Sequence, residues 1–374
     1  METFECPKCG APVSYEPNAF SSGPVKCVYC QSQLALPHHG QPARIISQID
    51  INVGPQVATG ARKLIWFLVL APLVIVIIVL AGVFGALAPL MRSVGSRGTP
   101  IGGIGSGSNG FAQVAQTFGS EGIGPGMMTD ARSIGIDGQG RIYVGEYQGG
   151  RVQVFDAQGK FITQWMVDRK MPLRGLAADR NGTVYIAQRG KLTRYRGDNG
   201  EALGDINYSG GDGFDDVRTT TDGGLVCAWY RGDDNIVRFD SQRKEVRTIT
   251  KAVSTAADRS ELDTRVAVDG LNNIYALGTF SEAVFKFNPE GKFVNRFGGS
   301  GHQPGQFSAA HSIAVDGKGR VFVGDIQGIH VFDPDGRFLA VIKVDGPAFG
   351  LVFNDNNELL VAARNKVIKF ELTQ

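Results

Sequence analysis

PGQFSAAHSIAVDGKGRVFVGDIQGIHVFDPDGRFL, residues 304–339, is one full cycle of a pattern that this chain repeats. An apolar run (312–315) meets Asp316, the chain turns through Gly317 and Gly319, and a second apolar run follows at 321–324. A third run, GIHVF, ends at a second turn, DPDG, that leads into RFL. Short apolar runs parted by Asp-Gly pairs read as strands joined by tight hairpins.

Working outward, the residue aligned with Asp316 recurs as Asp137, Asp179, Thr220, Asp269 and Asn354, at intervals of 38 to 49 residues. SIGIDGQGRIYVGE (133–146) is the clearest second copy. Every copy carries a third strand pattern: RVQVFD, KLTRYR, NIVRFD, AVFKFN, GIHVFD and KVIKFE. The first five add a fourth, as in GKFITQW and GKFVNRF. A period near 40 residues with strand-type composition marks a stacked repeat, and the spacing predicts an all-β, six-bladed β-propeller over 111–374. The sixth copy stops at Gln374 without its fourth strand, while FAQVAQTFG (111–119) is similar to GKFVNRFGG (291–299). Residues 111–118 are therefore expected to pair with 365–372 and close the ring, because an open propeller would leave a long unpaired strand edge.

Residues 304–339, and PGMMTDARSIGIDGQGRIYVGEYQGGRVQVFDAQGKFI (125–162), resemble the NHL-repeat motif. Residues 111–374 as a whole resemble NHL-repeat, or six-bladed TolB-like, propellers. The third copy, TTTDGGLVCAWYRGDDNIVRFD, keeps the strands but loses the Asp, and the sixth departs in the same way. The resemblance implies the fold and leaves activity open, because the family includes binding scaffolds, sensor domains and a few enzymes. It implies for its lyase members several histidines on a metal, and for lactonase-type propellers a divalent ion on carboxylate and Asn ligands. Neither set assembles from this sequence beyond Glu146 and Asp325, which occupy the repeat's consensus acidic position and are expected to satisfy turn amides.

Four of the five cysteines precede residue 31. Cys6 and Cys9, then Cys27 and Cys30, form two CxxC pairs, a spacing that can place four thiolates tetrahedrally around one structural zinc ion. Residues 1–40 resemble a zinc ribbon, whose metal would supply much of the folding free energy of so short a segment. Two disulfides or a redox CxxC are the other readings of those cysteines. A linker (41–63) precedes Leu64 to Met91, 28 residues without a charge and long enough to span a bilayer as one helix. Residues 92–110 are Gly/Ser-rich and read as a tether, reaching roughly 25 Å as a random coil. Flanking basic residues barely decide the orientation. Thiolate zinc favours a reducing compartment, which puts the ribbon in the cytoplasm and the propeller outside a single-pass cell-membrane protein.

Net charge is +2, so no global basic field calls for nucleic acid. No GxSxG or P-loop motif is present. In propellers the loops leading into the innermost strand, and those after the second strand, line one face. At the first kind of position stand Arg132, Arg174 and His311, with Arg265 adjacent; these cationic or cationisable groups suggest an anionic ligand such as a carboxylate, sugar acid or phosphate. Trp229, Tyr230 and Phe280 follow the second strands of copies three and four. If exposed they would mark carbohydrate or protein contact, and otherwise they pack beneath a loop. The sequence thus reads as a membrane-anchored scaffold or sensor for a protein, glycan or anionic ligand. A metal-dependent lyase or lactonase is the alternative, and an assembly protein a second one. A ubiquitin-ligase role would follow from propeller ancestry alone, since the N-terminus offers half of a RING's zinc ligands.

Overall fold

Each repeat copy folds into a four-stranded antiparallel sheet. The computed structural model describes residues 110–373 in full and, before them, the backbone of five short strands. Of these, Glu2–Glu5 pairs with Pro12–Tyr15, while Val25–Lys26, Gln33–Ala35 and Arg44–Ile45 form a three-stranded antiparallel sheet. The four N-terminal cysteines and the apolar stretch 64–91 lie outside the described residues. Among the described residues no helix is long and apolar enough to cross a membrane. Residues 1–106 and 107–374 are separate compact units.

The second unit is an all-β, six-bladed propeller. Its innermost strands are Ala131–Ile136, Leu173–Ala178, Phe214–Thr219, Thr264–Val268, Ser312–Val315 and Gly350–Phe353, which follow one another around a closed ring. In blades one to five the second, third and fourth strands succeed the innermost one in sequence order. The sixth blade takes its outer strand from the other end of the unit: Ala112–Phe118 pairs antiparallel with Val367–Leu372, from Leu372 opposite Ala112 to Val367 opposite Phe118.

One turn, repeated six times, explains the phrase in the sequence. The residue three positions after each aligned polar residue has positive φ: Gly140, Gly182, Gly223, Asn272, Gly319 and Asn357, at 59 to 83°. Only Gly, or Asn at some cost, is comfortable there. Its N–H donates to the carbonyl of the aligned residue in every blade. Where that residue is Asp, its side chain finishes the job. Asp137 Oδ1 accepts the N–H groups of Gln139 (2.9 Å) and Arg141 (3.0 Å), and Oδ2 accepts Arg141 Nε (2.7 Å) and the Tyr143 hydroxyl (2.9 Å). Asp179 and Asp269 repeat the arrangement with Tyr185 and Tyr275. Burial and the adjacent carboxylate push all three tyrosine pKa values up.

The core is divided rather than central. Six clusters of buried apolar side chains fill the six interfaces between neighbouring blades, including the one that joins blade six to blade one. Alternate residues of a blade face one neighbour or the other, which leaves the axis lined by innermost strands alone. Cys227 is fully buried in the blade two–three cluster, and burial raises its thiol pKa well above the usual value. The consensus acids are structural. Glu146 accepts the N–H of Thr129 (2.7 Å) and is paired with Arg151, and Asp325 accepts those of Ser308, Ala309 and Gln327, each at 2.8 Å.

Candidate ligand-binding site

The beginnings of the innermost strands surround one mouth of the axial channel. A cavity of about 170 Å³ opens there, lined by Arg132, Arg174, Arg265, His311 and Phe349, together with Tyr147, Arg218, Asp216 and Asp263. Residues from all six blades thus meet because the repeat places one equivalent position of each at the same height. All four cationic or cationisable residues singled out in the sequence line this one cavity.

Their charge state differs from the simple expectation of a basic ring. Each arginine stands beside a carboxylate. Arg132 Nε donates to Asp130 (2.8 Å), Arg174 is 2.7 Å from Asp215 and 3.3 Å from Asp263, Arg218 donates to Asp216 (2.8 Å), and Arg265 donates to Asp263 (3.0 Å). Four guanidinium groups face four carboxylates, so the mouth is rich in charge and nearly neutral. Burial pushes the Asp215 carboxyl pKa up, against the pull of Arg174. His311 adds no charge either. Burial first, then Arg265 and Arg132, lower its pKa to about 4, although Asp325 opposes them. Both ring nitrogens are buried and have no hydrogen-bond partner among the described residues, and the ring lies 5.1 Å from that of Phe349. A buried imidazole with an idle donor and an idle acceptor costs free energy until something meets it.

Arg132 is the most open cation of the four, with 38% of its side chain exposed. Its guanidinium carbon sits 4.2 Å from the ring centre of Tyr147 and 4.8 Å from that of Phe349. Two aromatic faces hold the fork flat while its terminal nitrogens make no hydrogen bond among the described residues. By contrast, Arg265 is tied down by Asp263 and by the Arg174 carbonyl (3.0 Å).

The aromatic trio does not form one exposed patch. Trp229 is 7% exposed and belongs to the core between blades two and three. Its Nε1 donates to the Gly211 carbonyl at 3.0 Å, and its ring packs edge-on against Tyr208, so the 206–213 segment covers it. Tyr230 is half-buried beside it, and Phe280 alone stands 52% exposed on blade four. Two residues of the mouth escaped the sequence reading. Tyr147 lies in the loop after the second strand of blade one. Arg218 occupies a position where the other copies carry Gly135, Ala177, Ala267, Ala314 and Val352, a contrast visible once the six copies are aligned.

A divalent ion of the lactonase kind does not fit this mouth. The described residues hold no cluster of three His, Cys, Asp or Glu side chains suited to a metal. The carboxylates nearest the axis are engaged by arginines, whose charges would repel a cation in the same space.

No protein-family model and no curated protein sequence matches the chain. Solved structures do resemble it in fold. One is a provisionally assigned gluconolactonase, 14% identical, with a TM-score of 0.53 over 68% of this chain and 92% of that one. Another is a gluconolactonase from Xanthomonas campestris, 16% identical, with a TM-score of 0.51 over 70% of this chain and 98% of that one. At such identities the likeness is one of architecture.

Proposed function

We propose that the propeller is a binding module whose mouth takes a small carboxylate that also carries hydroxyl groups, as a sugar acid or hydroxy acid does. The observation that carries this reading is the pairing of an open Arg132 fork with the idle ring nitrogens of His311 across one cavity. A carboxylate accepts two parallel N–H bonds from a guanidinium fork. A hydroxyl is donor and acceptor at once, which is what a neutral imidazole with two free nitrogens requires. Asp216 and Asp263 on the same wall supply further acceptors for hydroxyl protons. Charge matching around the mouth favours such a polar ligand over a multiply charged phosphate, because arginines already paired with carboxylates leave little net positive charge to balance one.

The rest of the chain completes the proposal. Cys6, Cys9, Cys27 and Cys30 hold one structural zinc ion in a cytoplasmic ribbon, and residues 64–91 anchor the chain in the cell membrane. The tether at 92–110 presents the propeller outside. Lactone hydrolysis, suggested by the names of the two similar structures, is the weaker reading on the donor set of the mouth.

Isothermal titration of the full chain with aldonates, short hydroxy acids and their uncharged alcohols tests the reading. Hydroxy acids should bind and the matching alcohols should not. Arg132→Gln should weaken binding about 10- to 100-fold, the worth of one charge-assisted hydrogen-bonding pair. Equal heats from acids and alcohols, or an Arg132→Gln variant that binds as well as the parent, would sink it.

A further inference from the structure

A second cavity lies further along the axis. It measures about 250 Å³ and is built from the far halves of the same innermost strands. Two rings of equivalent positions line it. The residue just before each aligned polar residue gives Ile136, Ala178, Thr219, Val268, Val315 and Phe353, mostly apolar and branched. One position earlier, five blades place Gly, Ala or Val and blade three places Arg218. The outer rim carries Arg180 and Asp355, which satisfy each other through two hydrogen bonds of 3.0 and 2.9 Å.

Arg218 is the feature that asks for a ligand. A guanidinium beside aliphatic side chains is costly to desolvate even when one of its edges is paired, and no other blade places one at that height. Its Nη1 bonds Asp216 (2.8 Å) and the Val217 carbonyl (2.7 Å). Its Nε and Nη2 make no hydrogen bond among the described residues. It lines both cavities and so stands at the junction between them.

We infer that this lower sleeve is a second binding site, for a short aliphatic monocarboxylate whose carboxylate meets the free edge of Arg218 and whose chain lies between Ile136, Val268, Val315 and Phe353. The cavity is smaller than a typical drug-sized pocket of roughly 300–1,000 Å³, which limits the occupant to a few carbons. Chain length and charge are both read by the site. Methylenes gain by leaving water for the sleeve, and the head group gains by meeting the guanidinium.

Isothermal titration of the full chain with propanoate, butanoate, pentanoate and hexanoate tests the inference. Affinity should rise about 4-fold per added methylene until the sleeve is full. It should fall at least 10-fold in Arg218→Gln and recover in Arg218→Lys, which restores the charge. Val268→Trp, which fills the sleeve from a different blade, should abolish binding while the thermal unfolding midpoint confirms a folded chain. Arg132→Gln should leave these acids bound within 2-fold while weakening hydroxy acids, so the two sites fail separately. Affinity without chain-length dependence, equal binding of butan-1-ol, or an unchanged affinity in Arg218→Gln would overturn the assignment.

Discussion

Replacing His311 with Phe should flatten the acid limb of the propeller's stability. The ring nitrogens of His311 are buried without partners among the described residues, and burial lowers its pKa to about 4 from an ordinary value of 6.5. Protonation is therefore easier in the unfolded chain than in the folded one. A base depressed in this way contributes its full stability above pH 6.5 and loses it as pH falls, because the unfolded state takes up the proton first. One pKa unit corresponds to about 1.4 kcal/mol, so the whole effect between pH 6.5 and 4 is of the order of 3 kcal/mol. Between pH 7 and pH 5 it comes to about 2 kcal/mol.

The assay is urea unfolding of the full chain at pH 7, 6 and 5, followed by the fluorescence of Trp165 and Trp229, both buried in the propeller. Two other groups titrate nearby. His330 is likewise lowered by burial and adds a slope of the same sign. Asp215, raised by burial, acts in the opposite sense at the acid end of the range. Both remain in His311→Phe, so the difference between parent and variant isolates His311. The parent should lose about 2 kcal/mol more than the variant on going from pH 7 to pH 5. Identical pH dependence in the two proteins would refute the reasoning, since it would mean that His311 is solvated or paired. A saturating hydroxy acid should add stability at pH 7 in the parent, and less in the variant if His311 meets the ligand.

Further expectations can be checked with simple variants. Asp137→Ala leaves two backbone amides, Arg141 Nε and the Tyr143 hydroxyl without their acceptor; it should cost about 3–5 kcal/mol in chemical unfolding, against about 1 kcal/mol for Tyr143→Phe. Ending the chain at Arg364 removes the strand Val367–Leu372 and with it the partner of Ala112–Phe118; the truncated chain should aggregate on expression, and a soluble, cooperatively unfolding product would count against ring closure as the source of stability. Elemental analysis of the full chain should find one zinc per chain, lost on Cys9→Ser or Cys27→Ser. A zinc content unchanged by both substitutions would remove the ribbon.

The architecture was legible because a propeller states its turn six times. The positive φ at Gly140, Gly182, Gly223 and Gly319 forces a residue choice that survives in the sequence. Asn272 and Asn357 show that it survives even where Gly is replaced. The height of each side chain above the channel follows from its offset to the aligned Asp, so Arg132, Arg174, Arg265 and His311 could be placed at one mouth from offsets alone. Charge state could not be. Asp130, Asp215, Asp216 and Asp263 neutralise the arginines from strand and loop positions that differ from blade to blade, and no periodicity encodes them. Trp229 stayed undecided in the sequence for a related reason: whether a residue at the end of a second strand points out or in depends on the covering segment, here 206–213.

That asymmetry bears on how a repeat acquires a site. Each axial position is filled six times, and the fold asks there only for a side chain small or apolar enough to clear its neighbours. A departure in a single blade therefore costs the architecture little, and the ring focuses it onto the axis. Arg218 is such a departure, standing among Gly135, Ala177, Ala267, Ala314 and Val352. His311 stands at a height where the copies share no residue type, beside Arg132, Arg174, Asp215, Thr264 and Phe349 of the other blades. The residues that keep the pattern, the Asp–Tyr pairs and the turn glycines, are consumed in holding blades together and have no hydrogen-bonding capacity left over. Candidate chemistry in this chain is to be sought where the copies diverge inside the channel, and the two side chains with idle nitrogens there, one neutral and one cationic, point to the two ligand classes proposed above.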